Sequence, residues 1–174
     1  MVLRNQTGVV ALVPALLAAV LLGDIASAGT PPSPVATPAA SPIASDGCDG
    51  LAAFFLTVAK LADANEGLAM MQEVGHDVLK LDSDEVALVV TELDALIASI
   101  GEIDAPEPAR AWQAAYLDLV RWYRNMAASR DPIALQRIVN DDRRLFVNLA
   151  TSVLGGQAAC PGTWDPAWDA AFGE

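Results

Sequence analysis

The sequence predicts an all-α protein, built as an up-and-down bundle of four main helices. Apolar residues recur at a spacing of about 3.6 in four segments after residue 48. Residues 46–105 contain no proline, and the five later prolines lie where helices could begin or end. No segment shows a convincing strand pattern. Four amphipathic segments with short connections are typical of a helical bundle.

The first predicted helix covers residues 49–81, and we expect Asn65 and Gly67 to kink or split it. The second covers residues 84–101, where Asp82 and Glu85 form a variant of the capping box and Gly101 marks the end. Together these two segments account for the proline-free half of the folded region.

The third predicted helix covers residues 107–128 and the fourth covers 132–154. Asp131 followed by Pro132 indicates an N-cap and a first helical residue, and Asp165 with Pro166 repeats that pattern. The glycine pair at 155–156 predicts the end of the fourth helix.

Two cysteines flank the predicted bundle: Cys48 just before the first helix and Cys160 just after the last. An even number of alternating helices returns the chain to the end of the bundle where it began. Since an exported chain meets an oxidising environment, we expect a Cys48–Cys160 disulfide; free thiols or intermolecular pairing are the alternatives.

Residues 1–28 are typical of a secretory signal peptide. Arg4 precedes an uncharged run containing VVALVPALLAAVLL, and Ala26-Ser27-Ala28 matches a cleavage site. The run is short against the roughly 20 residues that a spanning helix needs. The sequence therefore predicts a secreted or extracytoplasmic protein with no membrane attachment after cleavage.

Residues 29–45 form a separate block, with five prolines and no charged residue. Such a composition favours a disordered spacer rich in Pro, Ala, Ser and Thr. Residues 46–174 then form the single folded domain.

The charge balance is strongly acidic and uneven. The chain has a net charge of −12; residues 46–105 hold Lys60 and Lys80 against 13 acidic residues, whereas residues 106–174 hold seven Arg against eight. This balance argues against nucleic-acid binding, which needs clustered cations. The acidic half is a solvated face or a docking surface for a basic partner.

Catalytic motifs are absent from the sequence. A catalytic triad would have to use His76, the single histidine, and the chain has no G-x-S-x-G, H-E-x-x-H or phosphate-binding glycine loop. We therefore favour a non-enzymatic protein and expect no cofactor. A hydrolase with paired carboxylates is a further alternative, although no carboxylate pair stands out in the sequence.

Glu73 and His76 form an E-x-x-H pair, the spacing that carboxylate-bridged bundles use to bind metal. The pair points away from the apolar stripe of its own helix, so a solvated polar face is the preferred interpretation. Copper ligation by His76 with Met70, Met71 and Met126 is a weaker alternative.

Asp142 falls on the apolar stripe of the fourth helix, where a carboxylate needs a partner. Arg121 and Arg124 on the preceding helix are the candidate partners for a buried ion pair. A ligand-binding carboxylate is the alternative.

Near the C-terminus, Trp164, Trp168 and Phe172 recur every four residues and would align on a short helix. This helix is expected either to pack on the end of the bundle or to present aromatic side chains to a protein or glycan. From these observations we expect a non-enzymatic binding module, with a metal-binding or redox bundle as the alternative.

Overall fold

The computed structural model describes residues 47–75, 77–140 and 142–173, and these are mostly helical with no strand. The all-α prediction is confirmed. The helices of the described ranges are α1 (Leu51–Asp63), α2 (Glu66–Val74), α3 (Ser83–Gly101), α4 (Arg110–Ala128), α5 (Pro132–Asn140), α6 (Asp142–Ala159) and α7 (Trp164–Phe172). Short 3₁₀ turns cover Val78–Lys80 and Glu107–Ala109. The predicted signal peptide and spacer lie outside the described residues.

The predicted split of the first helix is confirmed, and Asn65 separates α1 from α2. Its backbone is extended (φ −88°, ψ 109°), and its side chain accepts a hydrogen bond from the Leu68 amide at 2.8 Å. The Asn65 amide group also donates to the Glu92 carbonyl on α3, again at 2.8 Å. One side chain therefore caps α2 and fixes it against α3.

Two further predicted starts are confirmed by their hydrogen bonds. Asp82 Oδ1 accepts from the amides of Asp84 and Glu85, while Glu85 Oε2 accepts from the Asp82 amide at 2.8 Å, which completes a capping box. Asp131 Oδ1 accepts from the Ile133 amide at 3.0 Å at the start of α5.

Two predicted boundaries near the C-terminus are wrong. The glycine pair does not end α6, which continues to Ala159, because Gly156 lies inside the helix where the Trp164 indole packs against it. Helix α7 starts at Trp164 rather than after Asp165; the Asp165 carboxylate instead accepts from Gln157 Nε2 at 2.7 Å.

The predicted first helix corresponds to α1 and α2, the second to α3 and the third to α4. The predicted fourth helix, 132–154, corresponds to α5 and α6, and α7 is an additional short helix, so the count of four is matched only loosely. Helix α3 packs along α4 and α2, α4 packs along α6, and α1 packs along α7. A single core joins them. Its largest fully buried side chains include Leu51, Phe55, Met71, Leu93, Ile100, Trp112, Met126 and Trp164.

The predicted disulfide is confirmed. Cys48 and Cys160 are bonded, both are buried, and their Cα atoms lie 5.8 Å apart. The bond joins a residue just before α1 to a residue just after α6, so the beginning of the first helix and the end of the sixth are held together.

Candidate functional site

The aromatic residues of α7 pack inward. Trp164 is only 1% exposed, while Trp168 and Phe172 are half-buried. Their ring centroids lie 4.9, 5.4 and 6.1 Å from that of Phe55 on α1. Trp164 therefore cannot act as an exposed anchor in this structure; binding through Trp168 and Phe172 stays a prediction.

Trp112 on α4 extends this aromatic cluster. It meets Phe55 and Trp168 edge to face and stacks on Tyr116, with centroids 5.1 Å apart. Within the described residues, the indole N–H groups of Trp112 and Trp164 have no hydrogen-bond acceptor. Burial raises the pKa of Tyr116 well above its ordinary value. These contacts assign the cluster to the core.

The predicted pairing of Asp142 with Arg121 or Arg124 does not form. Arg121 Nη1 donates to Asp118 at 2.9 Å, and the Arg124 guanidinium donates to Asp94 on α3 at 3.1 and 3.2 Å. Both arginines are paired with other carboxylates, and among the described residues neither forms an ion pair with Asp142. Asp142 is half-buried in the first turn of α6, where the helix dipole favours a negative charge.

The described residues do not test the two metal-binding alternatives. Glu73 is exposed in the last turn of α2, and His76 lies outside the described residues. Met71 and Met126 are buried in the core, with Met70 half-buried beside it. Across the part of the chain that the structure describes, no group of three or more His, Cys, Asp or Glu is arranged to hold a metal ion.

A cleft of about 290 Å³ lies where α4, α5 and α6 meet, and we call it the α4–α6 cleft. Its polar lining consists of Asp118, Arg121, Asn125 and Arg144, and its apolar lining of Trp122, Ile138 and Leu145. Arg121 is among the site residues predicted from the sequence, whereas Asn125 and Arg144 are not. The signal was the Arg143-Arg144 pair, which is unusual in so acidic a chain.

Packing at the base of this cleft sets its geometry. Trp122 is buried, and its indole N–H donates to the Ile138 carbonyl at 2.6 Å, which ties α4 to α5. Leu145 is buried beneath the first turn of α6. Above this apolar base, Arg121, Asn125 and Arg144 are exposed to solvent.

The electrostatics of the α4–α6 cleft favour an anion. Arg121 and Arg144 both line it, whereas Asp118 is the one carboxylate among its lining residues. Asp118 accepts from a single Nη atom of Arg121, so the other N–H groups of that guanidinium can donate to another oxygen. Among the described residues, Arg144 has no ion pair or hydrogen-bond partner.

A second, wider groove of about 460 Å³ lies beside the disulfide end of α1. Asp49, Asp104, Glu107 and Arg110 form its rim over Phe54. Phe54 is buried, and Arg110 Nε donates to the Ala105 carbonyl at 3.4 Å. Since three of the four charged residues of this groove are acidic, it presents mainly carboxylates to a ligand.

Comparison of the chain with protein-family models, with curated proteins and with solved structures finds no match. Within the described ranges, none of the helices combines the length and the apolar character needed to cross a membrane.

Proposed function

We propose that the chain is a non-enzymatic binding module that works outside the cytoplasm. We propose further that its α4–α6 cleft receives a carboxylate of an acidic protein partner. The observation that carries the proposal is the convergence of Arg121 and Arg144 on one open cleft of a chain with net charge −12.

The location rests on the disulfide together with the sequence of the first 28 residues. Disulfides form and persist mainly in oxidising compartments. The Cys48–Cys160 bond and the predicted signal peptide therefore support the same location independently.

The anionic ligand is supported by a comparison with two other arginines of the domain. Arg124 is paired with Asp94, and Arg130 donates to the carbonyls of Leu81 and Asp82 at 2.9 and 3.0 Å. These two stabilise helix contacts. The guanidinium groups in the cleft have spare donors, and a carboxylate can accept two of them in parallel.

A polypeptide fits the cleft better than a sugar does. Sugar rings bind on open aromatic faces, but Trp122 is only 6% exposed and offers no such face. Ile138 and Leu145 instead provide an apolar edge beside the arginines. A carboxylate followed by an aliphatic side chain would meet both kinds of contact.

Nuclear magnetic resonance titration tests this proposal on the oxidised protein. The probe is an acetylated, amidated Glu-Leu-Glu-Leu peptide, with Gln-Leu-Gln-Leu as its neutral control. We expect amide shifts centred on Arg121, Asn125 and Arg144 with the acidic peptide but not with the neutral one. Binding of the acidic peptide should weaken as salt is added. No shift at the cleft, or equal shifts with both peptides, would contradict the proposal.

Matched variants locate the binding. Arg121→Gln with Arg144→Gln should remove the shifts, and both side chains are exposed, so folding should persist. Arg110→Gln, an exposed arginine at the other groove, should leave them intact. A glucuronate oligomer that binds in place of the peptide would keep the anion site but replace the protein partner with a glycan.

A further inference from the structure

Helix α6 packs one face against the core, and its opposite face carries a line of exposed residues with few charges. We call this line the outer stripe. Val147 and Leu154 are 55% and 52% exposed, among the most exposed large apolar side chains of the described residues. The exposed residues Thr151 and Ala158 continue the stripe, and Arg143 begins it. A helix that is apolar on two sides usually has a partner on each.

The spacing places these residues on one face. At about 100° per residue, positions 143, 147, 151, 154 and 158 fall within a sector roughly 80° wide. The buried residues Leu145, Leu149, Ser152, Val153 and Gly156 fall on the opposite side, centred roughly 180° away. The outer stripe is therefore separate from the surface that α4 and α7 cover.

Opposite charges lie at the two ends of α6. Arg143 is exposed in the first turn of α6. At the other end, Gln157 Nε2 donates to Asp165 at 2.7 Å, which holds that exposed carboxylate beside the last turn of α6. The carbonyl groups of the last turn add partial negative charge there.

We propose that the outer stripe binds a second copy of this chain, with the two α6 helices antiparallel about a two-fold axis near Thr151. In this arrangement Val147 of each copy packs against Leu154 of the other. Arg143 of each copy reaches the C-terminal end of the other α6, where Asp165 lies. The same two contacts occur twice, as a two-fold interface requires.

Charge selects the antiparallel arrangement. Parallel helices would place the two copies of Arg143 side by side, and like charges at close range are unfavourable. The antiparallel pair satisfies both ends at once. Self-association uses residues other than those that line the α4–α6 cleft and does not depend on the proposed ligand.

The contact should be weak and reversible, because one face of one helix is smaller than a standard interface of about 1,600 Å². The sample is the oxidised protein purified after export, with any signal peptide removed by the expressing cell. Sedimentation velocity should show a concentration-dependent monomer–dimer equilibrium between about 1 µM and about 1 mM. A protein that stays monomeric throughout this range overturns the proposal.

Charge introduced into the stripe tests the surface. The double variant Val147→Glu with Leu154→Glu should raise the dimer Kd by more than about tenfold, since it places carboxylates against each other. The control variants Leu56→Glu on α1 and Leu88→Glu on α3, which are 42% and 41% exposed in the parent, should leave the Kd unchanged. A dimer that survives the double variant overturns the assigned surface.

A charge exchange tests the orientation without touching the apolar residues. Arg143→Asp and Asp165→Arg should each weaken the dimer, and combining them should restore it. Restoration supports the antiparallel pair. Weakening that is additive in the combined variant overturns the antiparallel arrangement.

Discussion

The six-membered ring of the Trp164 indole occupies the space that a side chain at position 156 would need. A Cβ atom built on Gly156 overlaps Cζ3, Cη2 and Cε3 of that ring. Gly156 lies inside α6 and Trp164 begins α7, so the absent side chain sets how closely the two helices approach. Trp164 also contacts Phe55 on α1, so its indole packs α7 against both α6 and α1.

Gly156→Ala should therefore lower the free energy of unfolding by about 1–3 kcal/mol, the usual effect of overpacking a well-filled core. Gly155→Ala is the control, because nothing lies within 4 Å of its added Cβ. That variant should raise stability by about 0.5–1 kcal/mol, since alanine is the better helix former. Urea unfolding of the oxidised proteins measures both, and equal effects would show that Trp164 does not exclude a side chain.

Removal of the disulfide should destabilise the fold strongly. Cys48 and Cys160 are 112 residues apart, and closing a loop of that length contributes about 4–5 kcal/mol on the chain-entropy model. Cys48→Ala with Cys160→Ala should lower the urea midpoint accordingly. Reduced parent protein should unfold like the variant; a parent that keeps its full stability when reduced would contradict the prediction.

Asn65 should contribute through two separable hydrogen bonds. Asn65→Ser keeps an acceptor for the Leu68 amide but loses the donor to Glu92, and should lower stability by about 1 kcal/mol. Asn65→Ala loses both and should lower it by about 2 kcal/mol. Thermal and urea unfolding rank the variants, and an alanine variant as stable as the serine variant would exclude a capping contribution.

Asp142→Ala should change stability by at most about 1 kcal/mol, because the carboxylate lies in the first turn of α6 and forms no ion pair with another described residue. Breaking a buried ion pair would instead lower stability by about 3–5 kcal/mol. Asp142→Asn, which keeps the shape and removes the charge, is the control. A loss of the larger size in both variants would restore the ion pair that the sequence predicted.

Alkaline pH should destabilise the protein through its buried tyrosines. Burial raises the pKa of Tyr116 and of Tyr123 above the ordinary value of 10.0. Above that value the unfolded chain releases phenolic protons that the folded chain retains, so the free energy of unfolding falls as the pH rises. Urea unfolding between pH 8 and 11 should show a shallower decline in Tyr116→Phe, and an unchanged decline would contradict this role.

The local features of the fold were predictable because neighbouring residues determine them. Asn65, Asp82 and Asp131 cap helices through amides two or three positions along the chain, and such spacing is visible in a sequence. The cysteine pairing followed from the even number of predicted helices together with the oxidising environment expected for an exported chain. The starts of α2, α3 and α5, the split of the first helix and the disulfide could be predicted in these ways, whereas the start of α7 could not.

Features that depend on how helices rotate against each other could not be predicted. The glycine pair at 155–156 indicates a helix end unless Trp164 is known to pack there. Arg124 turns towards Asp94 on α3 rather than towards α6, and no local pattern distinguishes the two directions. The α4–α6 cleft draws on three helices, so its residues come together only in the folded chain.

The Cys48–Cys160 bond turns most of the folded chain into a covalent ring. A protease that cuts one peptide bond between these cysteines, for example in the connection between α4 and α5, opens the ring without releasing either piece. The two fragments of the nicked molecule stay covalently joined through the disulfide until a reductant separates them. If the protein works outside the cytoplasm, as we propose, it meets proteases where reductants are scarce, and the disulfide would hold the two pieces together after a single cut.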